Sequence, residues 1–182
     1  MERITKAFWV WAQFSELDQK HLEEIQDKVK TKLRSVSFPI HITLAGPFVK
    51  LEQSALQKIH KFCSNQSPFK VDAIKYEHKK KFFESFFISL ARSNKLDSFR
   101  EEILRINHLD STKIFSPHIS LVYGYHEAKS KVGLIPSLPK LICSLTVNKI
   151  SIVDFDEITC LAKISRSYPL GLHNIEKAQS LK

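Results

Sequence analysis

The chain reads Phe38-Pro39-Ile40-His41-Ile42-Thr43-Leu44 in its first half and Pro117-His118-Ile119-Ser120-Leu121-Val122-Tyr123 in its second. Both stretches carry histidine, apolar, hydroxyl, apolar behind a proline. Side chains of an extended strand alternate faces, so His41 shares a face with Thr43, and His118 with Ser120. Ile42, Leu44, Ile119 and Leu121 then point into packing on the opposite side. Each motif is half of a site that needs an acid, a base and hydroxyl donors for a phosphate.

The flanks give both motifs the same setting. Residues 8–14 (FWVWAQF) are aromatic and β-branched, which suits a strand, and alternation puts Phe8, Val10, Ala12 and Phe14 on one face and Trp9, Trp11 and Gln13 on the other. Ser15 is a good helix N-cap, and Leu22, Ile25, Val29 and Leu33 recur at spacings of three and four. Pro39 closes the connection, and the first motif strand runs to Gly46-Pro47. Ala55, Leu56, Ile59, Phe62 and Cys63 form the stripe of a second helix, ended by Ser67-Pro68. Two strands follow, over 69–76 and 82–91, separated by His78-Lys79-Lys80-Lys81. Leu96, Phe99, Ile103 and Ile106 mark a third helix before the second motif strand. Strand, helix, motif strand therefore occurs twice, over 8–44 and 82–121. Residues 125–140 read as a loop with room for a short helix, 141–153 and 159–164 as a strand hairpin, and 166–182 as a polar, loosely held tail. One domain over 1–165 is expected.

Composition sets outer limits. The chain has 182 residues, 43% hydrophobic and 10% aromatic, enough for a real core. Its 28 Lys and Arg against 19 Asp and Glu give a net charge of +9, which suits an anionic partner without choosing between nucleotide, nucleic acid and membrane. Cys63, Cys143 and Cys160 lack the spacing of a zinc site or a disulfide framework and read as reduced thiols, an expectation of a cytoplasmic protein. No leader core of about 7–15 apolar residues and no apolar run of roughly 18 residues occurs, so neither export nor a membrane partner is expected. His60 and Cys63 pair on one helix, and His21, His60, His78, His108, His126 and His173 show no metal-ligand spacing, so no metal or other cofactor is expected. Lys79, Lys80 and Lys81 read first as a solvated turn and second as a means of steering an anion. Dinucleotide, P-loop and serine-hydrolase motifs are absent.

Imidazole titrates near pH 6.5, so of two rings one accepts a proton while the other donates one. Opening a cyclic phosphodiester needs that division: a base takes a proton from water and an acid supplies one to the departing ribose oxygen. The hydroxyls of Thr43 and Ser120 would donate to the non-bridging oxygens.

With these motifs the chain resembles the two-histidine (2H) phosphoesterase superfamily, whose signature is a pair of His-apolar-[Thr/Ser]-apolar motifs. It is most similar to the cyclic phosphodiesterases of the plant and yeast type. The likeness covers about residues 8–164 and rests on Val10-Trp11-Ala12, the two motif stretches and Phe82-Phe83. It implies an α+β fold of two pseudo-symmetric lobes, each a small antiparallel sheet with outer helices, and an active-site cleft between them. It implies that His41 and His118 are catalytic, that Thr43 and Ser120 bind the phosphate, and that Trp11, Phe82, Phe83 and Tyr123 line the cleft beside base or sugar. Tyr123 lies an odd number of residues from Ser120 and needs a strand end or bulge to reach that face. The motifs do not say which histidine is the base; the resemblance implies that His118 activates water and His41 protonates the leaving oxygen. The expected activity is that of a phosphoric diester hydrolase opening ADP-ribose 1″,2″-cyclic phosphate or nucleoside 2′,3′-cyclic phosphates without a metal, in a monomer. The alternatives are RNA-end processing or 2′,5′-phosphodiesterase or ligase chemistry, with RNA ends as partner, and a non-catalytic RNA-binding module.

Overall fold

The computed structural model describes residues 6–35, 38–109 and 114–171. Among them the elements run β1 (Lys6–Phe14), α1 (Glu16–Leu33), β2 (Ile42–Phe48), α2 (Gln53–Ser64), β3 (Phe69–His78), β4 (Phe86–Leu90), α3 (Asn94–Ile106), β5 (His118–Val122), α4 (Ala128–Leu134), β6 (Ser144–Asp156) and β7 (Leu161–Pro169), with a 3₁₀ turn at Ile135–Ser137. The fold is α+β with every strand pair antiparallel. The strands lie in the order β1-β2-β5-β4-β3-β6-β7, and β1 also pairs with β6, so six of them close on themselves and β7 flanks β6.

The two strand-helix-strand repeats, β1-α1-β2 and β4-α3-β5, are the halves of this arrangement. Two seams join them. At the centre β2 meets β5 through Ile42 and Ile119. On the far side β6 is 13 residues long, enough for its first residues to pair with β3 and the remainder to lie between β1 and β7. The lobes expected from the sequence are thus halves of one continuous ring rather than two separate sheets.

Local chemistry explains the helices. The Ser15 hydroxyl accepts from the Asp18 amide and donates to the Asp18 carboxylate at 2.7 Å, and that carboxylate also accepts the Thr146 amide at 2.8 Å. Ser15 thereby caps α1 and Asp18 fastens its start to β6. Glu16 and Asp18 in the first turn and Lys30 and Lys32 in the last complement the helix dipole. Leu22, Ile25 and Val29 are buried, as their spacing predicts. Ser93 caps α3 by accepting from the Leu96 amide, and Phe99 sets its ring against Phe62 and Phe69 at 4.9 and 4.7 Å.

Both faces of the sheet are apolar, with different contents. Val10, Ala12, Phe14, Ile42, Leu44, Ile119 and Leu121 join the main core with the stripes of α1, α2 and α3. Trp11, Phe38, Tyr123, Val153 and Phe155 form a second cluster on the opposite face, with Trp9, Phe82 and Phe83 packed against it. Gly46 is required for this packing. Its φ is +134°, and a Cβ there would lie 2.6 Å from the Trp9 ring, so only glycine lets Trp9 lie over β2.

Two segments differ from the sequence expectation. Phe82 and Phe83 precede β4 instead of lying in it, because Glu84 draws Lys79 and Lys81 into ion pairs and its carbonyl accepts the Lys79 amide, closing a turn before pairing resumes at Phe86. The stretch over 125–140 holds α4, the short helix for which the sequence left room. β7 runs past the expected end of the domain to Pro169, and Tyr168 and Leu170 join the core. The start placed at Arg166 for the tail is therefore too early. As an edge strand β7 exposes most of its side chains, so no alternation carried the strand read over 159–164 on to Pro169. Residues 172–182 of that tail lie outside the described residues.

Candidate active site

β2 and β5 lie side by side, and the site follows from their register. Ile42 is paired with Ile119 in antiparallel sense. One residue further in each direction sets His41 across from Ser120 and Thr43 across from His118, all on the face opposite the main core. Each histidine thus has its own motif's hydroxyl along the strand and the other motif's hydroxyl across it. The four side chains line one cavity of about 200 Å³. Trp9, Trp11, Phe83, Tyr123 and Phe155 supply its flat walls, and the carboxylates of Glu84 and Glu157 also line it.

The two rings are oriented by the same device. His41 Nδ1 lies 2.7 Å from the Pro39 carbonyl oxygen, and His118 Nδ1 lies 2.9 Å from that of Ser116. A carbonyl oxygen only accepts, so Nδ1 carries the proton in both rings and Nε2 is the nitrogen left for chemistry. In each motif the acceptor stands two residues before the histidine, on the turn that the proline shapes.

Their surroundings differ. His41 is 4% exposed, stacked on Trp11 with ring centres 3.4 Å apart and planes 4° from parallel, and it meets the edge of Phe38. Phe38 stacks on Tyr123 at 3.8 Å, and its carbonyl accepts from the buried Gln26 amide. Burial lowers the His41 pKa to about 3; the Pro39 carbonyl opposes this, and the charge of His118 adds to it. His118 is half-buried, with the edge of Phe87 5.2 Å from its ring centre. Burial also holds the Tyr123 hydroxyl protonated, well above the usual phenol range.

The state of His41 has a measurable consequence. An unfolded imidazole takes up a proton near pH 6.5 while the folded one stays neutral to about 3, so acid favours unfolding. Stability is complete above pH 6.5 and declines as pH falls towards 3, by several kcal/mol in all at about 1.4 kcal/mol per pH unit. Urea midpoints of the wild type are expected to drop between pH 7 and 4, and His41→Asn is expected to lose that part of the drop. Equal declines in both proteins would contradict a buried neutral His41.

The hydroxyls are not equivalent. Ser120 Oγ donates to the Phe83 carbonyl at 2.9 Å, which pins the segment before β4 over the cavity. Among the described residues Thr43 has no such partner. Of the aromatics named from sequence, Trp11, Phe83 and Tyr123 line the cavity. Phe82 does not; it stands behind, with its ring centre 6.4 Å from that of Tyr123. Tyr123 reaches the cavity because β5 ends at Val122, the strand end that its odd spacing required. Sequence reading passed over Trp9, Phe155, Glu84 and Glu157. Trp9 carried a signal, since alternation already put it on the face of Trp11. Phe155 and Glu157 come from β6 and the turn after it, and only tertiary pairing brings them here. Burial raises the Glu84 carboxyl, but hydrogen bonds and charge from Lys79 and Lys81 outweigh it and leave the group below the usual range. Among the described residues no three His, Cys, Asp or Glu gather to hold a metal ion, and no helix is long and apolar enough to cross a membrane.

Known proteins share this architecture. The apo crystal structure of Escherichia coli LigT matches with a TM-score of 0.62 and 12% identity, covering 91% of this chain and 98% of that one. The crystal structure of TT0787 of Thermus thermophilus matches at 0.63 and 17%, covering 90% and 97%. LigT complexed with 3′-AMP matches at 0.59 and 11%, covering 92% and 99%. At these identities the likeness is one of fold. No curated relative matches the sequence. The model of the 2′-5′ RNA ligase superfamily matches residues 14–158, a span that holds both histidine motifs and the β2–β5 seam between them. The chain belongs to that superfamily, the two-histidine phosphoesterases.

Proposed function

We propose that the protein opens the cyclic phosphodiester of a nucleotide, a nucleoside 2′,3′-cyclic phosphate or ADP-ribose 1″,2″-cyclic phosphate, to the phosphomonoester without a metal. The superfamily carries phosphodiester chemistry. One observation supports this reading above others: two imidazoles, each with Nδ1–H tied to a carbonyl two residues back, line one small cavity with a hydroxyl beside each. The LigT structures complexed with 3′-AMP and with phosphate support a nucleotide phosphate as the occupant.

In this reading His41 is the base. It is neutral, and its Nε2 takes a proton from water as the water oxygen bonds to phosphorus. His118, less buried, gives up less solvation to carry charge; it donates its Nε2 proton to the ribose oxygen as the P–O bond breaks. The rings end with charges exchanged, and solvent restores them. Thr43 donates to a non-bridging oxygen directly, whereas Ser120 must give up Phe83 to do so. Trp11, Phe83 and Tyr123 give the sugar and base flat apolar walls. The assignment reverses the roles that the resemblance implied, for a physical reason: burial makes a protonated His41 rare in the empty cleft at neutral pH.

The base must be unprotonated, so kcat/KM is expected to show no acid-side loss as pH falls from 7 to well below 6, because the pKa that limits the base is that of the unoccupied His41. A loss of kcat/KM already between pH 7 and 6 would take the role of base from His41. Turnover itself is tested by 31P NMR in EDTA with the four nucleoside 2′,3′-cyclic phosphates, ADP-ribose cyclic phosphate and a 2′,5′-linked dinucleotide. Conversion of a cyclic phosphate to a monoester supports the proposal, and inertness towards all the cyclic substrates ends it. The superfamily match favours a second reading, action on 2′,5′ linkages or RNA ends, which the dinucleotide probes.

A further inference from the structure

A second cavity, of about 320 Å³, lies beside the first and is lined by Lys79, Lys80, Tyr125, His126, Glu127 and Lys131 among others. Three lysines face a single carboxylate there. Lys131 is 1% exposed, and its ammonium donates to the Lys79 carbonyl at 2.8 Å. Among the described residues no carboxylate lies within ion-pair distance of it, so an ammonium with three donors is buried with one acceptor. Burial lowers its pKa, and the charge of Lys80 adds to that. A buried cation beside another cation is in want of an anion. Lys79 differs from Lys80 and Lys131, since its ammonium pairs with Glu84.

The cavity also has an aromatic platform. Tyr125 is 82% exposed, the opposite of what an apolar ring prefers, and its ring edges against Phe82 with centres 5.5 Å apart. Phe82 in turn stands 6.4 Å from Tyr123, which lines the catalytic cavity. The Lys79–Glu84 pair spans the same wall, with Lys79 on the basic cavity and Glu84 on the catalytic one. Lysines beside an exposed aromatic ring, within a nucleotide or two of a phosphate site, are the combination that holds single-stranded nucleic acid.

We infer that this basic cavity binds a second backbone phosphate of a ribo-oligonucleotide whose terminal phosphate occupies the histidine cleft, with Lys80 and Lys131 as its donors and Tyr125 stacking an adjoining base. The inference rests on the cleft taking a nucleotide phosphate, and it specifies the substrate class: chains longer than a mononucleotide bind better. The run Lys79 to Lys81, read from sequence first as a solvated turn, gains a ligand by way of Lys80.

The test is titration calorimetry of the full chain with a nucleoside 3′-phosphate and with di- and trinucleotides carrying a 3′-phosphate, alongside hydrolysis of a nucleoside 2′,3′-cyclic phosphate. The longer ligands are expected to bind about tenfold more tightly, with a salt slope steeper by about 0.7 for the added phosphate. Lys80→Ala and Lys131→Met are each expected to erase most of that gain and leave mononucleotide affinity within about twofold. Lys80 is exposed, so its variant keeps the fold even if that of Lys131 does not. Absence of a gain with length, or a gain unchanged in Lys80→Ala and Tyr125→Ala, overturns the inference. Hydrolysis without a gain leaves the proposed activity standing and removes the second site. A gain that the lysine variants erase, without hydrolysis, does the reverse.

Discussion

Replacing His41 or His118 by alanine is expected to lower turnover of a nucleoside 2′,3′-cyclic phosphate by ~10²–10⁴ each, the range for removing one positioned acid or base. In the proposed reaction the two rings act on one phosphorus in one step, so the double variant should fall far less than the product of the single effects. Neither substitution should unfold the protein. His41 lies on the cleft face and His118 is half-buried, whereas the main core is built from Ile42, Leu44, Ile119 and Leu121 on the other face. Thr43→Val removes a hydrogen bond to a charged group, worth roughly 1.5–3 kcal/mol, and should cost about ten- to a hundredfold. Steady-state rates with far-ultraviolet circular dichroism decide the matter. Parental turnover in a folded His118→Ala variant would eliminate two-histidine catalysis.

Trp11→Ala is expected to act twice. Trp11 is nearly fully buried between His41 and Phe155. Its truncation leaves a cavity that neighbouring rings cannot fill, at a cost of about 3–5 kcal/mol in unfolding free energy. It also admits water to the stacked face of His41, so the ring loses the desolvation that holds its pKa near 3. The acid limb of kcat/KM should then move up towards the ordinary imidazole range, and the acid-dependent loss of stability should shrink. Trp11→Phe keeps most of the apolar cover and should show less of both effects. Chemical denaturation and pH–rate profiles read them separately. Lost stability with an unmoved acid limb would show that Trp11 packs the fold without setting the state of the base.

Much of this was readable along the chain because the relevant signals are local. Alternation put Trp11 and Trp9 on one face, Val10 and Ala12 on the other, and each histidine beside its hydroxyl. The cap Ser15 and the apolar stripes of Leu22, Ile25 and Val29 and of Leu96, Phe99 and Ile103 marked α1 and α3. What escaped had weak local signals or distant partners. The part of β7 past Ile164 belongs to an edge strand with mostly exposed side chains, so it resembled a tail. The turn holding Phe82 and Phe83 is set by Glu84 closing on Lys79 and Lys81, an arrangement that a run of β-formers concealed.

From its order of residues alone, this chain determined two half-sites, the face each presents and the repeat that carries them, since strand alternation and helix periodicity depend only on neighbours a few positions apart. Tertiary structure decided the rest: that Ile42 meets Ile119, so His41 stands across from Ser120; that His41 is sealed against Trp11, where burial lowers its pKa; and that Lys131 is buried with no carboxylate of the described residues within ion-pair distance. Register and desolvation depend on which distant segments come together, and the solvent they displace sets the protonation on which the chemistry runs.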